Sequence, residues 1–103
     1  MSPVARSKRH ARPPMWNLRL YVAGQTPKSL AAIDNLRRLC DEYLRGRCKI
    51  EVIDLVRAPH RARIDDIIAI PTLVRRLPAP FRKIIGDLSD TDRVLVSLEV
   101  DRS

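Results

Sequence analysis

Apolar and polar side chains alternate through Trp16-Asn17-Leu18-Arg19-Leu20-Tyr21-Val22. That period of two marks a strand with one face buried. Ala23, Gly24 and Gln25 break the pattern. Thr26 then offers an N-cap hydroxyl, and Pro27 suits the first helical position, where its missing N–H costs nothing. Leu30, Ile33, Leu36, Cys40, Tyr43 and Leu44 recur at steps of three and four. The spacing predicts a helix over about 27–44 with that stripe as its buried face. Gly46 is the natural stop. Residues 49–55 are rich in β-branched side chains and read as a second strand. Strand, helix and strand in this order make a βαβ unit, with parallel strands and a right-handed crossover.

The second half is less regular. Pro59 opens a short polar segment, 60–66, that reads as about two turns of helix. An apolar run, 67–70, ends at Pro71. Residues 73–77 and 81–85 read as two strands joined through Pro78-Ala79-Pro80, the second closed by Gly86. Ser89, with Asp92 three residues on, reads as a capping box with Asp in place of the preferred Glu, and a helix over about 90–100 follows. In that last segment Val94, Leu95 and Leu98 form a helical face. Val94, Val96, Leu98 and Val100 also alternate with largely polar neighbours, as in a strand. Two good local answers mark a candidate switch, or the plain ambiguity of a short apolar pattern.

With 103 residues the chain suits one compact domain, small enough to lean on a partner. Aromatic residues are 4%, so the core must be mostly Leu, Ile and Val. No apolar run could span a bilayer and no secretory h-region is present, which leaves the cytoplasm as the default. The net charge is +8. Residues 1–15 hold Arg6, Lys8, Arg9 and Arg12 and no acid, and read as a disordered basic arm ahead of a domain over 16–103. The rest mixes 16 basic with 12 acidic residues, the pattern of a solvated surface. Phosphate binding by the arm is the lesser reading of that charge, since no recognition helix, zinc spacing or aromatic RNA-binding motif accompanies it.

The residues offer no catalytic set and no cofactor. Cys40 and Cys48 have neither Cys-x-x-Cys nor metal-site spacing and read as small apolar residues. His10 and His60 have no sequence context that assembles a triad. Gly24 and Gly86 are isolated, so no phosphate loop exists.

The order β-α-β-α-β-β-α is thioredoxin-like, and Pro71 falls where such folds carry a cis-proline. A closer match lies in Leu20-Tyr21-Val22-Ala23-Gly24, Thr26-Pro27, Val52-Ile53-Asp54, Pro71-Thr72-Leu73, Leu77-Pro78 with Pro80, and Ile84-Ile85-Gly86-Asp87-Leu88-Ser89. In order and spacing this set resembles the KaiB family of circadian clock proteins, from about Trp16 to Val100. Thioredoxin redox chemistry is excluded, because Ala23-Gly24-Gln25-Thr26-Pro27 supplies no thiolate at the helix start.

The resemblance implies a protein that binds a KaiC-type ATPase and modulates its phosphorylation cycle, with a SasA-like histidine kinase as competitor. A second implication is a change of fold in the C-terminal half, with possible homo-oligomers. Pro71, Pro78, Pro80, Gly86, Ser89 and Ser97 are the residues that such a change would turn on. The prolines also punctuate the hairpin, and slow X-Pro isomerisation would slow a change of fold. The implied partner surface is 58–70, with Arg61, Arg63, Ile64, Asp65, Asp66 and Ile67, joined by the basic Arg75, Arg82 and Lys83. The chain departs from the family where Ser97 replaces a common Gly, which disfavours the alternative fold, and where Glu51 and Asp66 replace lysines. The reversed charge counts against contacts that use those lysines, KaiA binding included. The alternatives are a free-standing relative of the KaiB-like sensor domain of SasA, and a nucleic-acid-associated protein acting through its arm.

Overall fold

A computed structural model describes residues 15–100. The basic arm, apart from Met15, and residues 101–103 lie outside the described residues. In chain order the elements are β1 (Trp16–Val22), α1 (Pro27–Tyr43), β2 (Cys48–Asp54), a 3-10 helix (Pro59–Arg63), β3 (Thr72–Leu77), β4 (Arg82–Ile85) and α2 (Thr91–Leu98). The four strands form one sheet in the order β2-β1-β3-β4. β1 and β2 run parallel, while β3 lies antiparallel to β1 and β4 to β3. The Ile70–Pro71 peptide is cis, as are those before Pro78 and Pro80.

The period of two in β1 sorts its side chains between two layers. Trp16, Leu18, Leu20 and Val22 join Leu73, Ile84 and the buried faces of α1 and α2 in the main core. Tyr21 points the other way, into a second core with Ile53, Leu55 and Val74, covered by Ala62 and Ile67. Both helices therefore lie on one face of the sheet, and residues 58–70 cross the other.

Three local expectations are corrected. In α1 the buried stripe is Ser29, Ala32, Leu36, Leu39 and Cys40, whereas Leu30 is 46% exposed. The Ser29 hydroxyl accepts from Ala23 N and from the Thr26 hydroxyl, which turns this side of the helix inward. The cap of α2 is Asp90 and not Ser89: the Asp90 carboxylate accepts from Arg93 N, while Ser89 N is taken by Asp87 Oδ1. α2 stops at Leu98 because Glu99 is left-handed (φ 59°) and its N–H returns to the Leu95 and Val96 carbonyls. Residues 91–98 are helical because Val94, Leu95 and Leu98 all reach the main core; extended backbone would send Val94 and Leu95 to opposite faces. The polar segment after Pro59 is one short 3-10 helix, and Asp66, at φ 53°, bends the chain beyond it.

Candidate functional site

The face of the sheet opposite the helices carries the charged residues of the central strands. Arg19 and Tyr21 stand on it from β1, and their register partners Glu51 and Ile53 from β2. Val74 lies beside Lys83 of β4, and Arg76 follows two residues along β3. Over this face runs 58–70, held by a polar network. Asp65, with only 2% of its side chain exposed, is the centre. Its Oδ2 accepts from the Tyr21 hydroxyl at 2.6 Å and from Arg19 Nη1 at 3.4 Å. Its Oδ1 accepts from Arg76 Nη1 at 2.7 Å. Arg19 Nε and Arg61 Nη2 both donate to the Glu51 carboxylate, at 3.1 and 3.0 Å. Two further bonds fix the strap's trailing end: Lys83 Nζ donates to Asp66 O at 2.8 Å, and the Thr72 hydroxyl to Ala69 O at 2.7 Å.

The electrostatics follow from these contacts. Burial, then the bond to Asp65, raises the Tyr21 phenol above its ordinary value. The Arg61 hydrogen bond holds the Glu51 carboxyl below the usual carboxylate range. A buried carboxylate with three donors is a satisfied group, so Asp65 positions the strap and does not face a partner. The strap's outer surface is another matter. Arg63, Ile64, Asp66, Ile68 and Ile70 are exposed, Ile68 to 92%. Apolar side chains rimmed by charge on a fixed segment suit a protein interface.

The residues expected on a partner surface thus divide. Arg63, Ile64, Asp66 and Lys83 are exposed; Arg61 is engaged with Glu51 and Ile67 packs inward. Arg75 lies on the helix side and is 2% exposed. Its Nη1 donates to Leu98 O, its Nε and Nη2 donate to Pro80 O at 3.1 and 2.7 Å, and its guanidinium lies 5.2 Å from the Trp16 ring centroid. It ties the C-terminal end of α2 to the turn after β3. Arg82 is 2.9 Å from Glu99 at the same place. Pro71 is buried, and its carbonyl accepts from Gly86 N at 2.9 Å. Gly86 has φ 124°, a conformation that side chains rarely adopt. Ser97 is half-buried within α2.

Sequence reasoning missed Tyr21, Arg19 and Arg76 as the partners of Asp65. The period of two in β1 was the available signal, since it puts Arg19 and Tyr21 opposite Leu18 and Leu20. Among the described residues no group of three or more His, Cys, Asp or Glu side chains could hold a metal, and no helix is long and apolar enough to cross a membrane.

A family model described as the KaiB domain matches residues 19–100. The chain is 48% identical over 83 residues to the circadian clock oscillator protein KaiB of Prochlorococcus marinus (strain MIT 9313), covering 81% of this chain and 70% of that one. It is 47% identical to its counterpart in Microcystis aeruginosa over 81% of this chain and 80% of that one. Among solved structures, the N-terminal domain of Synechococcus elongatus SasA superposes with a TM-score of 0.67 at 20% identity, covering 86% of this chain and 88% of that one. Mitochondrial thioredoxin 3 of Saccharomyces cerevisiae gives 0.66 at 16% identity, covering 94% and 90%. The fold is thioredoxin-like, and the family match spans both helices, the strap and nearly the whole sheet: the chain belongs to the KaiB family.

Proposed function

We propose that this protein is a clock or timing regulator that works by binding, docking on a KaiC-type ATPase and modulating its phosphorylation cycle. The observation that carries the reading is the family match over 19–100, which includes the strap. The chemistry of the strap supports it: a rigidly held segment offers Arg63, Ile64, Ile68 and Ile70 to solvent with no internal task. A sensor domain of the same fold on a SasA-like kinase would compete for the same ATPase. The reading of this chain as a free-standing sensor domain has only the shared fold in its favour. The thioredoxin-like form is the proposed binding form, with Arg75 holding α2 in place.

The direct test mixes the purified full chain with the KaiC-type ATPase of the same cell, with and without ATP. Co-elution on gel filtration is expected, together with a changed time course of ATPase phosphorylation. No complex in any nucleotide state would overturn the proposal. Reversing Arg61 is a poor probe, because Arg61→Glu would face Glu51 inside the network. Arg63→Glu changes the outer face alone.

A further inference from the structure

Cys40 and Cys48, separated by seven residues of chain, meet where α1 hands over to β2. The turn between them is tight. Leu44 N and Gly46 N both donate to Cys40 O, at 3.1 and 3.4 Å, and Arg47 N donates to Leu44 O at 2.8 Å. Trp16 N then takes Arg47 O at 2.8 Å, and Cys48 is the residue that pairs with Trp16 across the parallel ladder. β2 therefore begins directly beside the last turn of α1. Cys40 belongs to the buried main core, and Cys48 packs against that core while half-exposed. Both thiols are free.

Their surroundings differ in a useful way. Arg47 is half-exposed and acts on Cys48 as the nearby positive charge. Asp41 is the opposing charge. The hydrogen bond from Cys40, with Arg47 adding to it, holds the Cys48 thiol below its ordinary value, and the same contact with burial pushes Cys40 up. A half-exposed thiol at the edge of the core that buries a second thiol suits an attacking and a resolving cysteine.

We propose that Cys40 and Cys48 are a reversible dithiol–disulfide pair whose oxidant is a hydroperoxide. The Cys48 thiolate attacks the peroxide, the O–O bond breaks, and hydroxide or alkoxide leaves with a proton from solvent. Cys48 becomes a sulfenic acid. The Cys40 sulfur then attacks the Cys48 sulfur: the S–S bond forms, the S–O bond breaks, and the Cys40 proton leaves with the hydroxyl as water. Two thiols and one hydrogen peroxide give one disulfide and two waters. The pair lies at the far end of α1 from the thioredoxin motif position, and its product is a staple between α1 and β2. A thiol reductant reverses it by exchange.

The test uses the full reduced chain, treated with hydrogen peroxide, blocked with N-ethylmaleimide after denaturation, and weighed intact. A monomer lighter by two hydrogen atoms and free of maleimide is expected, with both thiols returned by dithiothreitol. Tryptic peptides containing Cys40 and Cys48 should be found linked. In Cys40→Ser the Cys48 sulfenic acid should be trapped by dimedone; in Cys48→Ser the remaining thiol should stay maleimide-reactive. Two maleimides on peroxide-treated wild type, or oxidation only to disulfide-linked dimers, would overturn the proposal. The wild-type measurement decides it even if a variant fails to fold.

Discussion

The Tyr21 hydroxyl donates a 2.6 Å hydrogen bond to Asp65 Oδ2, joining the centre of the sheet to a segment 44 residues further along the chain. Both groups are buried, so neither has water to fall back on. Tyr21→Phe removes one of three donors to the carboxylate and should cost about 1–2 kcal/mol in urea unfolding. Asp65→Ala leaves a buried phenol and the Arg76 guanidinium without this acceptor, while Arg19 keeps its bond to Glu51. Arg19 and Arg76 can partly reach solvent, so the expected cost is about 2–3 kcal/mol, below that of a fully buried pair. Amide exchange should quicken over 59–67 in both variants more than in α1. Uniform loss of protection would mean that the network holds the whole domain and not the strap.

Arg75 is the second internal tie, through Leu98 O and Pro80 O. Arg75→Met keeps the stem and removes the donors. It should fray α2 and cost about 2–3 kcal/mol, as expected for charged hydrogen bonds lost at a buried site. Wild-type backbone chemical shifts should be helical through 91–98. Ser97→Gly should lower that helicity by a few tenths of a kcal/mol, the propensity difference at a helix interior. Extended shifts across 93–98 in the wild type would contradict the fold described.

The cap of α2 gives a sharp contrast between neighbours. Asp90→Ala removes the acceptor of Arg93 N and should cost about 1 kcal/mol. Ser89→Ala should cost less, since its backbone N–H bond to Asp87 survives the change and only the hydroxyl's contact with Asp87 is lost. Thermal melts of the two variants rank them, and a larger loss for Ser89→Ala would restore Ser89 as the cap.

Glu51 sets a small acid dependence. Its folded pKa lies below its unfolded value, so its contribution is present above about pH 4.3 and is lost as pH falls through the folded value. The carboxylate is 42% exposed, so the contribution is held to less than about 1 kcal/mol. The stability gap between wild type and Glu51→Gln should close as the pH is lowered below about 4. A gap that widens on acidification would reverse the assigned direction.

Much of this fold was legible because its signals are local. The alternation in β1, Thr26-Pro27 at the start of α1 and the proline-marked hairpin each need only near neighbours. The helical face of Val94, Leu95 and Leu98 was visible too, but a strand template fitted the same residues, and only burial against β3 and β4 separates them. The site was harder. Arg75 and Arg76 are adjacent and chemically identical, yet β3 sends one into the helical layer and the other under the strap. Asp65 and Asp66 divide in the same way between a buried carboxylate and an exposed one. Which member faces inward depends on strand register and on the course of 58–70, which spacing alone does not encode. The packing of Cys48 against the core that holds Cys40 was hidden likewise, since it depends on how tightly 44–47 turns.

The most direct test of the docking surface compares two apolar sites on opposite sides of the molecule. Ile68 is 92% exposed on the strap, and Val96 is 70% exposed on α2. Each is changed to Glu, and binding of the full chain to the KaiC-type ATPase is measured by calorimetry with circular dichroism as the fold control. Ile68→Glu should weaken binding at least tenfold, the loss of about 1.4 kcal/mol that burying a charge in an interface readily exceeds, while Val96→Glu stays within a few-fold of wild type. Full affinity in Ile68→Glu, with loss in Val96→Glu, would contradict the strap as the docking surface and move the interface to the helical face.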